Sequence, residues 1–422
     1  MTDEQRSAIW HPFTQHGLEP DMLQISSAKG AWLESANGQR IFDAISSWWV
    51  VTHGHCHPKI VAAIQKQAAT LDQVIFAGFS HDPADSVARR LIDMAPTGLD
   101  HVFYSDSGST SVEVALKMAL GYWRNRGETR TRILALEHAY HGDTVGTMSA
   151  GARGVFNAAY QPLLFDVGRI PFPARGQEQV TLDALDKACC DGKAAAFIVE
   201  PLILGAGGML MYGAETLAEM RRICTRHKVL LIADEVLTGF GRTGRMFASE
   251  HANISPDILC LAKGLTGGSL PLAATLSTSD IFDAHVSADR ARMFFHSSSY
   301  TANPIACAAA DANLAIWKDE PVLDRVADLT AMQTSAVAPL KNDRRFKNVR
   351  QLGTITAVDL AGQADGYLAD VALPLRSACL KRGVLLRPLG STLYVMPPYC
   401  TTDAELTTAY AMIAEAVDEV CA

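Results

Sequence analysis

Two ionisable side chains directly follow apolar runs that are typical of buried strands. Asp234 follows the run at residues 229–233, and Lys263 follows the run at residues 258–262. Taken alone, either residue is more commonly a turn aspartate or a solvated lysine. A pyridine nitrogen stays protonated beside a carboxylate, and a lysine amine forms a Schiff base with an aldehyde. The pair therefore predicts a site for pyridoxal 5'-phosphate (PLP), with Asp234 and Lys263 as catalytic residues.

A small polar turn at residues 105–110 has the composition of a phosphate site. It follows the strand-like run at residues 101–104, and apolar positions from Val112 to Trp123 recur at helical spacing. A helix N-terminus offers free backbone N–H groups and a favourable dipole to an anion. Serine and threonine also cap helices that bind nothing, so simple capping is the alternative interpretation.

An aromatic ring, two imidazoles and a carboxylate lie together at residues 137–144, after a further strand-like run. A tyrosine ring at Tyr140 would stack on a flat conjugated cofactor, because aromatic faces pair well with such rings. A half-buried core tyrosine is the alternative. The stretch adds Tyr140 to the candidate catalytic and cofactor-binding residues.

Two other motifs resemble ligand sites but fail on their spacing. The glycines at residues 239–244 satisfy G-x-G-x-x-G, yet no clear helix begins there, and Asp257 comes too early for the acidic residue of a dinucleotide site. The three histidines at residues 53–57 have no further ligands at a recognisable metal spacing. We therefore expect neither a nicotinamide cofactor nor a metal.

These candidates require an α/β fold to bring them together. Short apolar runs alternate with helical patterns from about residue 46 to residue 310, which predicts a mostly parallel sheet covered by helices on both faces. Active sites of such sheets lie beyond the carboxyl ends of the strands. We predict an N-terminal segment at residues 1–45 that contains a hairpin, a large domain at 46–310, and a smaller α+β domain at 311–422.

Composition favours small-molecule chemistry. The 422 residues carry a net charge of −8 and only 19% charged residues, which argues against nucleic-acid or anionic-membrane partners. The start lacks a signal-peptide pattern, no apolar run is long enough for a membrane span, and the nine scattered cysteines indicate reduced thiols. We expect a cytoplasmic enzyme.

The core motifs resemble those of the class III aminotransferases, which are PLP-dependent enzymes of fold-type I. The resemblance runs through residues 231–236, 238–244, 256–258 and 262–264. It implies that Asp234 contacts the pyridine nitrogen, that Lys263 is the Schiff-base lysine and that Tyr140 lies over the ring. It also implies that Gly108 and Ser109 bind the phosphate. The reaction would be two half-reactions at one site, with Lys263 moving the proton.

Further stretches resemble the members of this family that act in biotin biosynthesis, namely residues 9–14, 46–49, 140–144, 205–209, 387–390 and 394–399. This resemblance implies conversion of 8-amino-7-oxononanoate to 7,8-diaminononanoate, with S-adenosylmethionine as the amino donor. Arg387 would bind the carboxylate of the keto acid through two parallel hydrogen bonds. The other implied substrate contacts are Phe13, Trp48, Trp49, Tyr140, Ser297 and Tyr394.

The chain departs from the family pattern at two places. Phe13 replaces a tyrosine, which removes a hydroxyl from the substrate mouth, and residues 297–299 are three serines where Gly-Pro-Thr is common. The resemblance implies that Ser298 and Ser299 lie at the cofactor phosphate, with Ser299 reaching that of a neighbouring subunit. We therefore expect a homodimer whose active sites are shared between subunits.

Three alternatives to this function stay open. Phe13 also occurs in relatives that use lysine as the amino donor in place of S-adenosylmethionine. A broad ω-amine or ω-amino-acid aminotransferase of the same class would share Asp234 and Lys263 without the context of Arg387. A non-enzymatic PLP-binding protein would have little reason to retain both the lysine and the substrate arginine.

Overall fold

The fold is organised around a seven-stranded sheet. The structure, a computed structural model, describes residues 8–19, 21–364 and 366–421. The large sheet consists of β4 (His101–Ser105), β5 (Arg132–Leu136), β6 (Gly168–Ile170), β7 (Ala194–Val199), β10 (Leu230–Asp234), β11 (Ile258–Leu261) and β12 (Ala273–Ser277). Across the sheet these strands lie in the order β4-β12-β11-β10-β7-β5-β6. Most of their residues are apolar and buried, as expected for a sheet covered on both faces.

Smaller sheets flank the large one. β1 (Ile25–Lys29), β2 (Trp32–Ser35), β3 (Arg40–Asp43) and β15 (Val384–Leu385) form one sheet, in which β3 and β15 run parallel. A second sheet consists of β13 (Phe346–Leu352), β14 (Ile355–Leu360) and β16 (Thr392–Val395). β8 (Ile203–Leu204) and β9 (Leu210–Met211) form a short ladder. The N-terminal segment is thus joined to a C-terminal strand.

Helices connect and cover these strands. α1 (Ser46–Trp49) is a single turn, and it is followed by α2 (Pro58–Ala68), α3 (Asp82–Met94), α4 (Gly108–Asn125), α5 (Val145–Ala150), α6 (Glu178–Cys189), α7 (Ala214–His227), α8 (Ser279–Asp283), α9 (Pro304–Asp319), α10 (Val322–Val337), α11 (Ala372–Lys381) and α12 (Asp403–Cys421). Within the described ranges, no helix has the length and apolar character needed to cross a bilayer.

The strands and the hairpin that the sequence predicts are present. The predicted hairpin with its turn at Asn37 and Gly38 is formed by β2 and β3. The predicted boundary at residue 310 falls inside α9, and the division into two domains stays a prediction. Residues 1–7 of the predicted N-terminal segment lie outside the described residues.

Strand directions determine where the candidate site forms. β11 is parallel to β10 and antiparallel to β12, and β12 is antiparallel to β4. β4, β10 and β11 therefore all point the same way. Asp234, Lys263 and the turn after Ser105 consequently meet at one edge of the sheet, as expected for carboxyl ends of parallel strands.

Candidate active site

A cavity of about 430 Å³ opens at the carboxyl edge of the large sheet. Its walls come from the chain segments at the carboxyl ends of five strands, from the segment before β12 and from the turn α1. The lining residues include Trp49, Ser107, Gly108, Ser109, Tyr140, His141, Glu200, Asp234, Val236 and Lys263. The structure therefore brings together all three predicted catalytic residues, two predicted phosphate contacts and two predicted substrate contacts, Trp49 and Tyr140.

Lys263 begins a single 3₁₀ turn directly after β11, and its φ of 37° is unusual for a residue other than glycine. The surrounding protein lowers the pKa of its amine, mainly because burial disfavours the charged form. The carboxylates of Asp234 and Glu200 act in the opposite direction. The Nζ atom lies 5.0 Å from the centre of the Trp49 ring. A lysine in this setting is suited to act as a neutral amine.

Asp234 is the last residue of β10, and its side chain is buried. Oδ2 lies 2.7 Å from Nδ1 of His141, and Oδ1 accepts a hydrogen bond from the backbone N–H of Val236. These contacts fix the direction of the carboxylate at the cavity wall. His141, which belongs to the polar stretch at residues 137–144, thus has a defined contact with the predicted catalytic aspartate.

The N-terminus of α4 contributes to the lining of the cavity. Ser107 caps the helix by accepting from the N–H of Thr110, and Gly108 and Ser109 are the first helical residues. A Cβ atom on Gly108 would lie 2.6 Å from Cγ1 of Val236, so a side chain does not fit there. Ser109 Oγ accepts from the backbone N–H of Asp143. The first N–H groups of a helix lack intrahelical partners and suit an anion.

Glu200 is a cavity residue that was not among the residues predicted from the sequence. It is buried, and its two carboxylate oxygens accept hydrogen bonds from the N–H groups of Tyr140 and Gly205, both at 2.9 Å. Burial raises its pKa to about 7, and the nearby carboxylate of Asp234 acts in the same direction. Its position directly after the apolar strand β7, like that of Asp234 after β10, was the available signal.

Tyr140 also lines the cavity. Burial is the main reason that the pKa of its hydroxyl is raised, and Asp143 adds to the effect. The phenol therefore stays neutral at physiological pH. Its ring lies 6.0 Å from that of Phe156.

The donor set of the cavity fits PLP. A buried carboxylate lies in one wall, a helix N-terminus without side-chain obstruction lies in another, and a lysine amine and an aromatic ring complete the lining. In that order, these groups suit the pyridine nitrogen, the phosphate, the aldehyde and the flat ring of PLP.

Three predicted substrate contacts form a cluster beside Trp49. The guanidinium of Arg387 lies 4.9 Å from the centre of the Trp48 ring and donates to the carbonyl of Phe13 at 2.8 Å. The rings of Phe13 and Trp48 meet edge to face at 5.5 Å. Tyr394 is placed differently, because it is buried behind Trp49 and its hydroxyl accepts from Trp49 Nε1 at 3.0 Å.

The two tryptophans lie on a left-handed turn. Ser46, Ser47, Trp48 and Trp49 have φ values of 51°, 44°, 67° and 75°. A left-handed conformation costs roughly 1–2 kcal/mol for each residue with a Cβ atom. Surrounding contacts must therefore hold this turn.

The serine loop, residues 297–299, lies outside the cavity lining in this chain. Ser298 donates from Oγ to Asp106 Oδ2 at 3.3 Å, and Asp106 itself lines the cavity. The carbonyl of Ser299 accepts from Gln73, and Ser297 Oγ donates to the carbonyl of Ser298. A contact of these serines with a neighbouring subunit's cofactor stays a prediction.

The sequence matches the family aminotransferase class-III over residues 13–417. An adenosylmethionine-8-amino-7-oxononanoate aminotransferase from Synechococcus elongatus is 47% identical over 420 residues, which cover 98% of this chain and 99% of the relative. A protein of the same name from Mycobacterium leprae is 39% identical, with coverage of 100% and 97%.

Solved structures show the same architecture. The adenosylmethionine-8-amino-7-oxononanoate aminotransferase of Methanocaldococcus jannaschii has a TM-score of 0.94 at 32% identity, covering 98% of this chain and 97% of that chain. A PLP-bound amine transaminase from an uncultivated Pseudomonas species has a TM-score of 0.93 at 32% identity, with coverage of 98% and 99%. The predicted fold-type I architecture and PLP cofactor are thereby confirmed. The chain belongs to the class III aminotransferase family.

Proposed function

We propose that this aminotransferase converts 8-amino-7-oxononanoate to 7,8-diaminononanoate in biotin biosynthesis, with S-adenosylmethionine as the amino donor. The relatives from Synechococcus elongatus and Mycobacterium leprae are named for adenosylmethionine and this keto acid. The structural observation that carries the proposal is the position of Arg387 over Trp48, beside the cavity that contains Lys263.

Arg387 is suited to the carboxylate of the keto acid. Within the described residues, no carboxylate pairs with its guanidinium, and its protein acceptor is the Phe13 carbonyl. The remaining N–H groups can form two parallel hydrogen bonds with a substrate carboxylate. The faces of Trp48 and Phe13 offer apolar contact to the aliphatic chain between that carboxylate and the keto group.

In the proposed roles, Lys263 holds PLP covalently, Asp234 keeps the pyridine nitrogen protonated, and Gly108 and Ser109 bind the phosphate. PLP supplies an electron sink when it is bound. Once the substrate amine has taken its place on the cofactor, the freed amine of Lys263, whose pKa is lowered, could accept a proton from the substrate carbon and return it. Tyr140 and Trp49 shield that transfer from water with their rings.

A second candidate function is a broad amine transaminase. The Pseudomonas amine transaminase has the same 32% identity as the Methanocaldococcus enzyme and nearly the same TM-score. Both functions use the same cofactor pocket, so they differ only in the amino acceptor and the amino donor that the enzyme accepts.

An assay with purified enzyme tests the proposal. The enzyme is incubated with 8-amino-7-oxononanoate and either S-adenosylmethionine or lysine, and diaminononanoate is measured. Product with S-adenosylmethionine is the expected result. Product with lysine alone would overturn the donor assignment, and turnover of simple amines without any diaminononanoate would favour the second candidate.

We further propose a cytoplasmic homodimer with shared active sites, built from a large domain at residues 46–310 and a small domain at 311–422. The exposed side chains of Phe295 and Tyr300 on either side of the serine loop support an interface there. Light scattering of the purified protein gives its mass in solution and so tests the dimer.

Mixed dimers of Ser299→Ala and Lys263→Ala chains test whether the active sites are shared. In such a dimer, the site with an intact Lys263 would border an intact Ser299 from its partner.

A further inference from the structure

We infer that Asp43 is a positioning residue that holds the left-handed turn α1 and thereby places Trp48 beside Arg387. This inference rests on the proposed function, because Trp48 and Arg387 are the proposed contacts for the keto acid. Nothing in the sequence motifs assigns a role to Asp43. The proposal follows from its burial, its contacts and its place in the sheet.

The Asp43 carboxylate is fully buried and points at the middle of the turn. Oδ1 accepts from the backbone N–H of Ser47 at 2.8 Å, and Oδ2 accepts from the Ser47 hydroxyl at 2.8 Å. Nε2 of His55 lies 2.8 Å from Oδ2 and orients the carboxylate from the other side. A buried carboxylate needs several such partners, and here two of them belong to one strained residue.

Other contacts hold the ends of the turn. Ser46 Oγ donates to the carbonyl of Met396, and the buried guanidinium of Arg242 donates to the carbonyls of Trp49 and Val51. Trp49 is also tied to Tyr394 through its indole N–H. The Asp43 contacts differ because they hold Ser47, the residue directly before Trp48. Loss of the carboxylate should therefore displace Trp48 more than Trp49.

Sheet register links this turn to Arg387. Asp43 is the last residue of β3, and it pairs with Leu385 in the parallel strand β15. Arg387 follows two residues after Leu385. The chain segments that contain α1 and Arg387 therefore both begin at this strand pair. Asp43 fixes the position of α1 relative to the pair.

Asp43→Asn tests the inference in the PLP-loaded enzyme. Asparagine keeps the size of the side chain, but its NH₂ group cannot accept from Ser47. We expect the KM for 8-amino-7-oxononanoate to rise about tenfold, the size of one lost hydrogen bond to a charged group, with kcat within about twofold. The visible spectrum of the bound cofactor should be unchanged, and the near-ultraviolet circular dichroism of the tryptophans should change.

Asp359→Asn is the matched control, because Asp359 is a partly buried carboxylate on β14 that accepts from Arg350 and Thr392. The Asp359→Asn variant should be less stable than the wild-type enzyme, but its KM for 8-amino-7-oxononanoate should be unchanged. Ser47→Gly provides a rescue, since glycine adopts a positive φ without a Cβ penalty. In the Asp43→Asn background it should recover part of the lost kcat/KM.

An unchanged KM together with unchanged circular dichroism in Asp43→Asn would overturn the inference. Equal KM effects of Asp43→Asn and Asp359→Asn, or a further loss on adding Ser47→Gly, would also overturn it. A wild-type enzyme that is inactive toward 8-amino-7-oxononanoate would refute the proposed function instead. The circular dichroism comparison would then decide whether Asp43 holds the turn.

Discussion

Glu200 makes the pH dependence of stability predictable. Its carboxylate is buried at the cavity, accepts from two backbone N–H groups and has a pKa raised from 4.5 to about 7, chiefly by burial. Between these two pH values the folded state keeps a proton that the unfolded state has released. The free energy of unfolding must therefore fall as pH rises through this window.

The size of the effect follows from the pKa shift. Each pKa unit corresponds to about 1.4 kcal/mol, so the Glu200 shift makes the folded protein about 3 kcal/mol less stable above pH 7 than below pH 4.5. Glu200→Gln removes this pH dependence, because an amide does not titrate. It leaves one N–H group without a good acceptor, which costs about 1 kcal/mol at every pH.

Urea unfolding of the cofactor-free wild-type and Glu200→Gln proteins at pH 5 and pH 8 measures this difference. The wild-type protein should lose roughly 2 to 3 kcal/mol relative to the variant between these pH values, because part of the effect is already present at pH 5. Asp359→Asn, which affects a carboxylate outside the cavity, controls for general effects of losing a charge. Parallel pH profiles of the wild-type and Glu200→Gln proteins would refute the reasoning.

Two further predictions concern ligand binding. Arg387→Ala should raise the KM for the keto acid about a hundredfold, because two hydrogen bonds to a charged group are lost, and it should change the KM for the donor much less. The control is Arg382→Ala, which removes an arginine that is close in sequence and pairs with Glu419. Equal effects of the two variants on the KM for the keto acid would contradict the assignment of Arg387. Gly108→Ala should weaken PLP binding roughly tenfold in a titration of the cofactor-free enzyme, because the new methyl group meets Val236 at 2.6 Å. Gly17→Ala, whose Cβ would make only an ordinary contact, should bind PLP normally.

The strand-end residues were the part of the site most open to prediction from sequence. Asp234 and Lys263 follow uninterrupted apolar strands, and parallel strand ends must share an edge. Glu200 has the same relation to β7 but was overlooked, because no second residue type pointed to its chemistry. The contact of His141 with Asp234 needed the relative positions of two loops, which sequence spacing does not determine.

The substrate wall was less predictable for a different reason. The four residues of α1 include no glycine, so nothing in their types indicates a left-handed turn. That conformation comes from distant partners, among them Arg242 and Tyr394. Tyr394 likewise resembles a substrate contact in sequence, whereas tertiary packing buries it behind Trp49.

Lys263 is the residue proposed to carry PLP in this aminotransferase. Borohydride reduction of the PLP-loaded enzyme, followed by peptide mass spectrometry, identifies the lysine to which the cofactor is attached. We predict a single pyridoxyl modification on the peptide that contains Lys263, and its absence in Lys263→Ala. Modification of a different lysine, or none at all in an enzyme that has bound PLP, would contradict the account.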